Sequence, residues 1–306
     1  MSDVQQALQL GDNIELPTVG FGTFLIKPDE ADGAVESAII AGYRHIDTAE
    51  GYHNEAGVGE GVKAGMAATG ISRADLFVTT KVWPGNAAWG DPPKTYDGTI
   101  AAFEASLAAL GHDYIDLYLI HAPSGGDERL NQWKALVDLK AQGKVRAIGV
   151  SNYLETHLEE IRAADLPLPD ADQIELHPWS QKPALVSYLA KNGIATIAYS
   201  SLVPLSTWRE GQDSSKTDQM KADSADEASP FKAMAKKYGV SEAQVLLRWG
   251  VQKGYAVLPK SLNADRLRQN LDLFGFAIDD ADMALIATMD RGDGVAWPGV
   301  DPTKLG

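Results

Sequence analysis

The 306-residue chain contains no cysteine, which excludes disulfides, thiolate nucleophiles and cysteine-based zinc or iron–sulfur centres. Positive charge is scarce. Lys and Arg number 27 against 42 Asp and Glu, giving a net charge of −15 and a pI near 4.8. That imbalance opposes nonspecific binding to phosphate backbones or anionic lipid, so neither nucleic acid nor a membrane is an expected partner. No apolar run reaches the roughly 18 residues of a spanning helix, and MSDVQQALQLGDN has no basic segment followed by an apolar one. A soluble cytoplasmic protein is the expectation. The histidines at 45, 53, 112, 157 and 177 lack HExxH-like spacing, so no metal site is expected. GVGEG at 57–61 follows a loop and lacks the GxGxxG spacing, and carries no weight as a dinucleotide fingerprint.

What is present is an ordinary globular balance, 44% apolar and 23% charged. Short apolar, β-branched runs recur at GFGTF (20–24), YRHIDT (43–48), LFVTTK (76–81), IDLYLIH (115–121), VRAIGVSN (145–152), ADQIELH (171–177), ATIAYS (195–200) and YAVLPKS (255–261). Helical stretches separate them, several closing on glycine, and SEAQVLLRWGVQKG opens on Ser241 as an N-cap. Eight such units without an internal linker predict an α/β fold, a closed (β/α)8 TIM barrel, forming one domain over 1–306 with its site at the C-terminal strand face. ALQLGDNIELPTVGFG predicts a short N-terminal β-hairpin turning at Gly11-Asp12-Asn13 and capping the barrel floor. From Ser206 to Ser229, after the seventh strand, the chain is polar and rich in Ser and Asp. A loop that long is either a flap over a cofactor or a mobile decoration.

Four groups fall where neighbouring strands end: Asp47, Tyr52, Lys81 and His121. Singly, each has a structural reading: a turn cap for Asp47, a solvated rim residue for Lys81, a satisfied core histidine for His121. Together they converge on one barrel face. An ionised Asp47 would fix Lys81 by a charge-assisted hydrogen bond, and the ammonium would favour the Tyr52 phenolate. Bringing a tyrosine from ~10 to ~7 takes on the order of 4 kcal/mol. Tyr52 could then protonate a developing alkoxide while His121 orients the carbonyl.

These residues resemble the aldo-keto reductase family of NADPH-dependent carbonyl reductases on a TIM barrel. The resemblance runs through Gly42-Tyr43-Arg44-His45-Ile46-Asp47-Thr48-Ala49, then Tyr52, Asn54-Glu55, Val58-Gly59, Lys81 in TTKVW and His121 in LIHAP. It implies a catalytic tetrad of Asp47, Tyr52, Lys81 and His121. It also implies that Ser151, Asn152 and Gln173 hydrogen-bond a nicotinamide carboxamide, that Tyr199 stacks on its ring, and that Ser200 and Leu202 meet the pyrophosphate. Thr23 and Asp47 join the implied cofactor contacts. Lys260, Ser261, Arg266, Gln269 and Asn270 look like the adenosine-phosphate site. Cations and a hydroxyl clustered there suit a 2′-phosphate, so NADPH is the expected cofactor and NADH a weaker alternative. Phe24, Trp83 and Trp297 are expected to wall a pocket for a small-molecule carbonyl substrate, although Phe24 could be plain core packing. Two departures stand out. His121-Ala122-Pro123 replaces the common His-Trp-Pro, predicting a wider pocket, and Gln269 stands where Glu is common. A monomer is expected from the resemblance. Two rival functions are a cofactor-binding sensor of the same fold and a Schiff-base aldolase using Lys81. The Asp47 partnership opposes the second.

Overall fold

The computed structural model describes residues 6–11, 14–205, 218–292, 296–297 and 300–305. Among the described residues the strands are β1 (Ala7–Leu10), β2 (Ile14–Pro17), β3 (Gly20–Gly22), β4 (His45–Asp47), β5 (Phe77–Val82), β6 (Ile115–Ile120), β7 (Val145–Ser151), β8 (Ala171–Glu175), β9 (Ala195–Tyr199) and β10 (Ala256–Val257). Strands β3 to β10 pair in parallel and in chain order. Closure comes from a parallel bridge between Val19 and Val257, with the Val257 amide donating to Thr18 O at 2.8 Å and the Gly22 amide to Pro259 O at 3.1 Å. All eight expected barrel strands are there, most of them trimmed at their ends and β5 running one residue further, to Val82. This is the (β/α)8 barrel, with helices between successive strands.

Period-two alternation divides the apolar side chains between two cores. Phe77, Leu117, Leu119, Ala147, Ala171, Ile197 and Ala256 point into the barrel, where Leu10, Ile14 and Leu16 of the β1–β2 hairpin meet them. The hairpin therefore plugs the barrel floor, as its sequence suggested, although Asp12 and Asn13 of the expected turn lie outside the described residues. The larger core lies between strands and helices. Ser241 caps the helix Glu242–Gln252 by accepting from the Gln244 amide, and Gly42 and Gly111 end two others in the left-handed region. The glycines of GVGEG sit in the helix Glu55–Thr69, where a Cβ at Gly57, Gly59 or Gly61 would strike the backbone of Pro28, Leu110 or Asp32. They serve close packing, not phosphate.

The stretch read as one loop from Ser206 to Ser229 contains a helix, Asp218–Ala225. Its sequence lacks the apolar periodicity that marks a helix by eye. Of the stretch expected as a flap, 206–217 lies outside the described residues.

Asp172 faces the helix layer from β8, fully buried, and neither carboxylate oxygen has a hydrogen-bond partner among the described residues. Burial pushes its pKa well above the ordinary value, and the nearby Tyr153 amide only partly offsets this. Above about pH 4 the unfolded chain ionises this carboxyl while the folded chain keeps its proton. Stability should then fall by about 1.4 kcal/mol per pH unit until the folded group ionises as well. Asp172→Asn is expected to flatten that slope and to raise the urea midpoint at about pH 8. Parallel midpoint-against-pH curves for the two proteins would exclude the assignment.

Candidate active site

The register of the barrel brings the four candidate groups together. Asp47 ends β4, Lys81 is the penultimate residue of β5, His121 follows β6, and Tyr52 closes a 3-10 turn, Glu50–Tyr52, in the loop after β4. Lys81 Nζ donates to Asp47 Oδ1 at 2.6 Å and to Thr48 O at 2.8 Å, and reaches the Tyr52 hydroxyl at 3.5 Å. It also lies 5.0 Å from the Tyr52 ring centroid. The other Asp47 oxygen accepts from Gln173 Nε2 at 2.8 Å. Lys81 is wholly inaccessible to solvent. Burial alone would lower its pKa, but the charges of Asp47 and Tyr52 and their hydrogen bonds outweigh it, so the net shift is upward. The lysine is a fixed ammonium.

His121 packs edge-on against Tyr52, with ring centroids 5.5 Å apart. Burial, and then the Lys81 charge, hold its pKa well below the usual histidine value, so the ring is neutral at pH 7. Its Nδ1 is buried without a partner. A missing partner costs less at a lone pair than at an N–H, which puts the ring proton on Nε2, the nitrogen left to meet the cavity. The second tyrosine at the site is differently committed. Tyr199 donates to Asn152 Oδ1 at 2.7 Å, and burial raises its pKa well above 10. Asn152 Nδ2 in turn donates to His121 O at 3.1 Å and Ser151 Oγ at 3.0 Å, while Ser151 Oγ donates to Gln173 O at 2.8 Å.

These groups line one cavity of about 1530 Å³, running from Tyr52 and His121 past Ser151, Asn152, Gln173, Tyr199, Ser200 and Leu202 to Lys260, Ser261, Arg266, Gln269 and Asn270. Of the six non-glycine residues with positive φ among the described residues, Leu25, His53, Asn152 and Ser200 line it. Backbone strain of this kind gathers at functional sites. Thr23 does not line the cavity; its hydroxyl donates to Asp47 O at 3.0 Å. Asn270 is tied to the Tyr43 hydroxyl.

A model of the aldo/keto reductase family matches residues 18–291. The chain belongs to that family. A morphine 6-dehydrogenase of Pseudomonas putida is 38% identical over 294 residues, spanning 95% of this chain and 94% of that one. A glyoxal reductase of Bacillus subtilis is 37% identical, with 99% of each chain covered. The crystal structure of a Bombyx mori aldo-keto reductase in complex with NADP superimposes with a TM-score of 0.83 at 33% identity, covering 98% of this chain and 100% of that one. The protein is therefore an oxidoreductase of carbonyl compounds.

The walls of this aldo-keto reductase's cavity include the three expected aromatics. Phe24, 44% exposed, lies 5.1 Å from the Tyr52 ring, and Trp83 and Trp297 flank His121 at 6.1 and 6.0 Å. Ala122 is itself fully buried and off the lining, and the wall beside His121 comes from Trp83 and Trp297. Trp89 and Asp91, in the loop after β5, also line the cavity and were not singled out from sequence. The rule that barrel sites are built from loops at the C-terminal strand ends was the available signal.

Proposed function

We propose that the chain, acting as one barrel domain over 1–306, reduces aldehyde or ketone carbonyls with NADPH, Tyr52 delivering the proton and the same groups serving the reverse oxidation. The observation carrying this reading is the Lys81 ammonium held between Asp47 at 2.6 Å and the Tyr52 hydroxyl at 3.5 Å at the cavity's base. At ~4 Å and an effective dielectric of ~20, one charge acts on another by about 4 kcal/mol, the scale a phenol needs to give up a proton near neutrality. Tyr199 is unsuited to this role because its proton is held by Asn152. Nε2–H of neutral His121 would donate to the carbonyl oxygen and aim it at Tyr52. The Asp47 ion pair keeps Lys81 charged, which argues against a Schiff-base role.

NADPH fits the residues present. The cavity exceeds the roughly 300–1,000 Å³ of drug-sized sites, leaving room for a dinucleotide beside a substrate. A relative of the same fold was crystallised with NADP. When bound, the reduced nicotinamide supplies the hydride. Ser151, Asn152 and Gln173 would hold its carboxamide, Tyr199 would face the ring, Ser200 and Leu202 would meet the pyrophosphate, and Gln269 and Asn270 the adenosine. Lys260, Ser261 and exposed Arg266 would take the 2′-phosphate.

Purified protein should consume NADPH in the presence of a generic aldehyde. Lys260→Ala with Arg266→Ala should raise KM for NADPH by about 10–100-fold, the scale of lost charge-assisted hydrogen bonds, and affect NADH far less. Equal losses for both cofactors would place 2′-phosphate recognition elsewhere. No NADPH consumption across aldehydes and ketones would refute the reductase reading.

A further inference from the structure

The loop after β5 is a stiff platform facing the substrate end of the cavity. Asn86 and Asp91 exchange backbone hydrogen bonds at 2.7 and 3.1 Å, enclosing a short 3-10 turn, Ala87–Trp89. Gly85 and Gly90 take left-handed φ of 87° and 77°, and a Cβ at Gly85 would strike the Pro92 carbonyl. From the barrel side, Ser124 Oγ donates to Gly85 O at 2.6 Å, and Gln132 Nε2 donates to Pro84 O and Lys94 O, both at 2.9 Å. On this platform Trp83 lies between Trp297 and Trp89 in an offset stack, with centroids 6.4 and 5.8 Å away and interplanar angles of 28° and 9°. All three indoles line the cavity that holds Tyr52 and His121, and Trp89 remains 54% exposed. The indole ladder thus leads outward from the reacting end.

Charge along the cavity is polarised. Its lining lysine and arginine, Lys260 and Arg266, come from the segment after β10 and the helix Ala264–Leu271, whereas the indoles Trp83 and Trp89 come from the loop after β5. At the indole end the lining carboxylates are Glu50 and Asp91. Glu50 is matched by Lys94 at 3.2 Å and also accepts the Trp83 amide at 2.8 Å. Asp91 Oδ2 accepts from Trp83 Nε1 at 2.6 Å, and Asp91 makes no ion pair with the described residues. An unmatched carboxylate at the edge of an indole stack whose outer member, Trp89, stays exposed is a setting for a cation. Lys94 does not line the cavity and is held by Glu50 and by the Trp83 carbonyl at 2.7 Å. We propose, resting on the carbonyl-reductase reading, that the Trp83–Trp89–Asp91 platform selects carbonyl compounds bearing a protonated or quaternary amine on a flat apolar body. The amine lies over the indoles beside Asp91 while the carbonyl sits between Tyr52 and His121.

The test compares two aldehydes of equal shape, para-(trimethylammoniomethyl)benzaldehyde and para-neopentylbenzaldehyde, whose methylene insulates the carbonyl from the charge. The readout is the ratio of their kcat/KM values within each protein, so a general loss of activity in a variant cancels. The parent should favour the cation by about tenfold or more at low salt, with the preference shrinking as salt is added. Asp91→Asn, whose amide oxygen can still accept from Trp83 Nε1, should bring the ratio down several-fold, and Trp89→Ala should do so independently. A parent ratio at or below one, or a ratio unmoved by both variants, overturns the inference. Brisk NADPH-dependent reduction of both probes without charge preference would sink this inference alone. No reduction of either while other aldehydes are reduced would likewise sink this inference alone, and no reduction of any aldehyde or ketone would take the reductase reading down with it.

Discussion

Tyr52→Phe is expected to cut carbonyl turnover by about 10²–10⁴-fold, the range a positioned general acid contributes, while NADPH affinity stays within a few-fold of the parent. The reasoning is local. The substitution removes one oxygen and keeps the ring that packs against Phe24 at 5.1 Å and His121 at 5.5 Å, so the cavity's shape persists. Lys81 keeps its bonds to Asp47 and Thr48, so the buried charge stays satisfied. The proton source is lost, and Tyr199, committed to Asn152, cannot stand in. Steady-state turnover set beside a fluorescence titration of NADPH separates the two effects. Turnover within a few-fold of the parent would remove Tyr52 from its assigned role. A parallel loss of NADPH affinity would show that the hydroxyl shapes the cofactor site instead.

The barrel was legible because its strands are apolar, β-branched and regularly separated, a signal that survives without knowledge of tertiary contacts. The grouping of the candidate residues was legible for a related reason: strand ends in a parallel barrel share one face, so Asp47, Lys81 and His121 had to converge once the strands were placed. Features set by side-chain direction or loop path were not. Nothing in periodicity says that the chain after Val82 folds back to carry Trp89 and Asp91 to the cavity; that depends on the Asn86–Asp91 clasp and on two left-handed glycines. Ala122 is fully buried and off the cavity lining, a placement that its sequence neighbours do not reveal. Asp172 sits between two residues that face the barrel interior, and its burial follows from which helices cover β8, which one strand cannot reveal. The helix at Asp218–Ala225 was missed because its polar sequence carries no stripe to read.

The Asp47–Lys81 pair is where catalysis and stability meet. Lys81→Met should cost about 3–5 kcal/mol of stability, because it leaves the Asp47 carboxylate buried with only Gln173 as partner. It should also lower turnover by about 10³-fold, as some 4 kcal/mol of ammonium-to-phenolate stabilisation is lost. Loss of fold and loss of chemistry could be confused in the single variant. Adding Asp47→Asn separates them: the double variant buries no lone charge and should recover much of the stability, yet remain as inactive as the single one. Urea midpoints and turnover on the four proteins of this cycle supply the measurement. Recovery of activity together with stability would mean that Lys81 acts only as a structural counter-ion. A Lys81→Met protein as stable as the parent would mean that the Asp47 carboxylate does not depend on it.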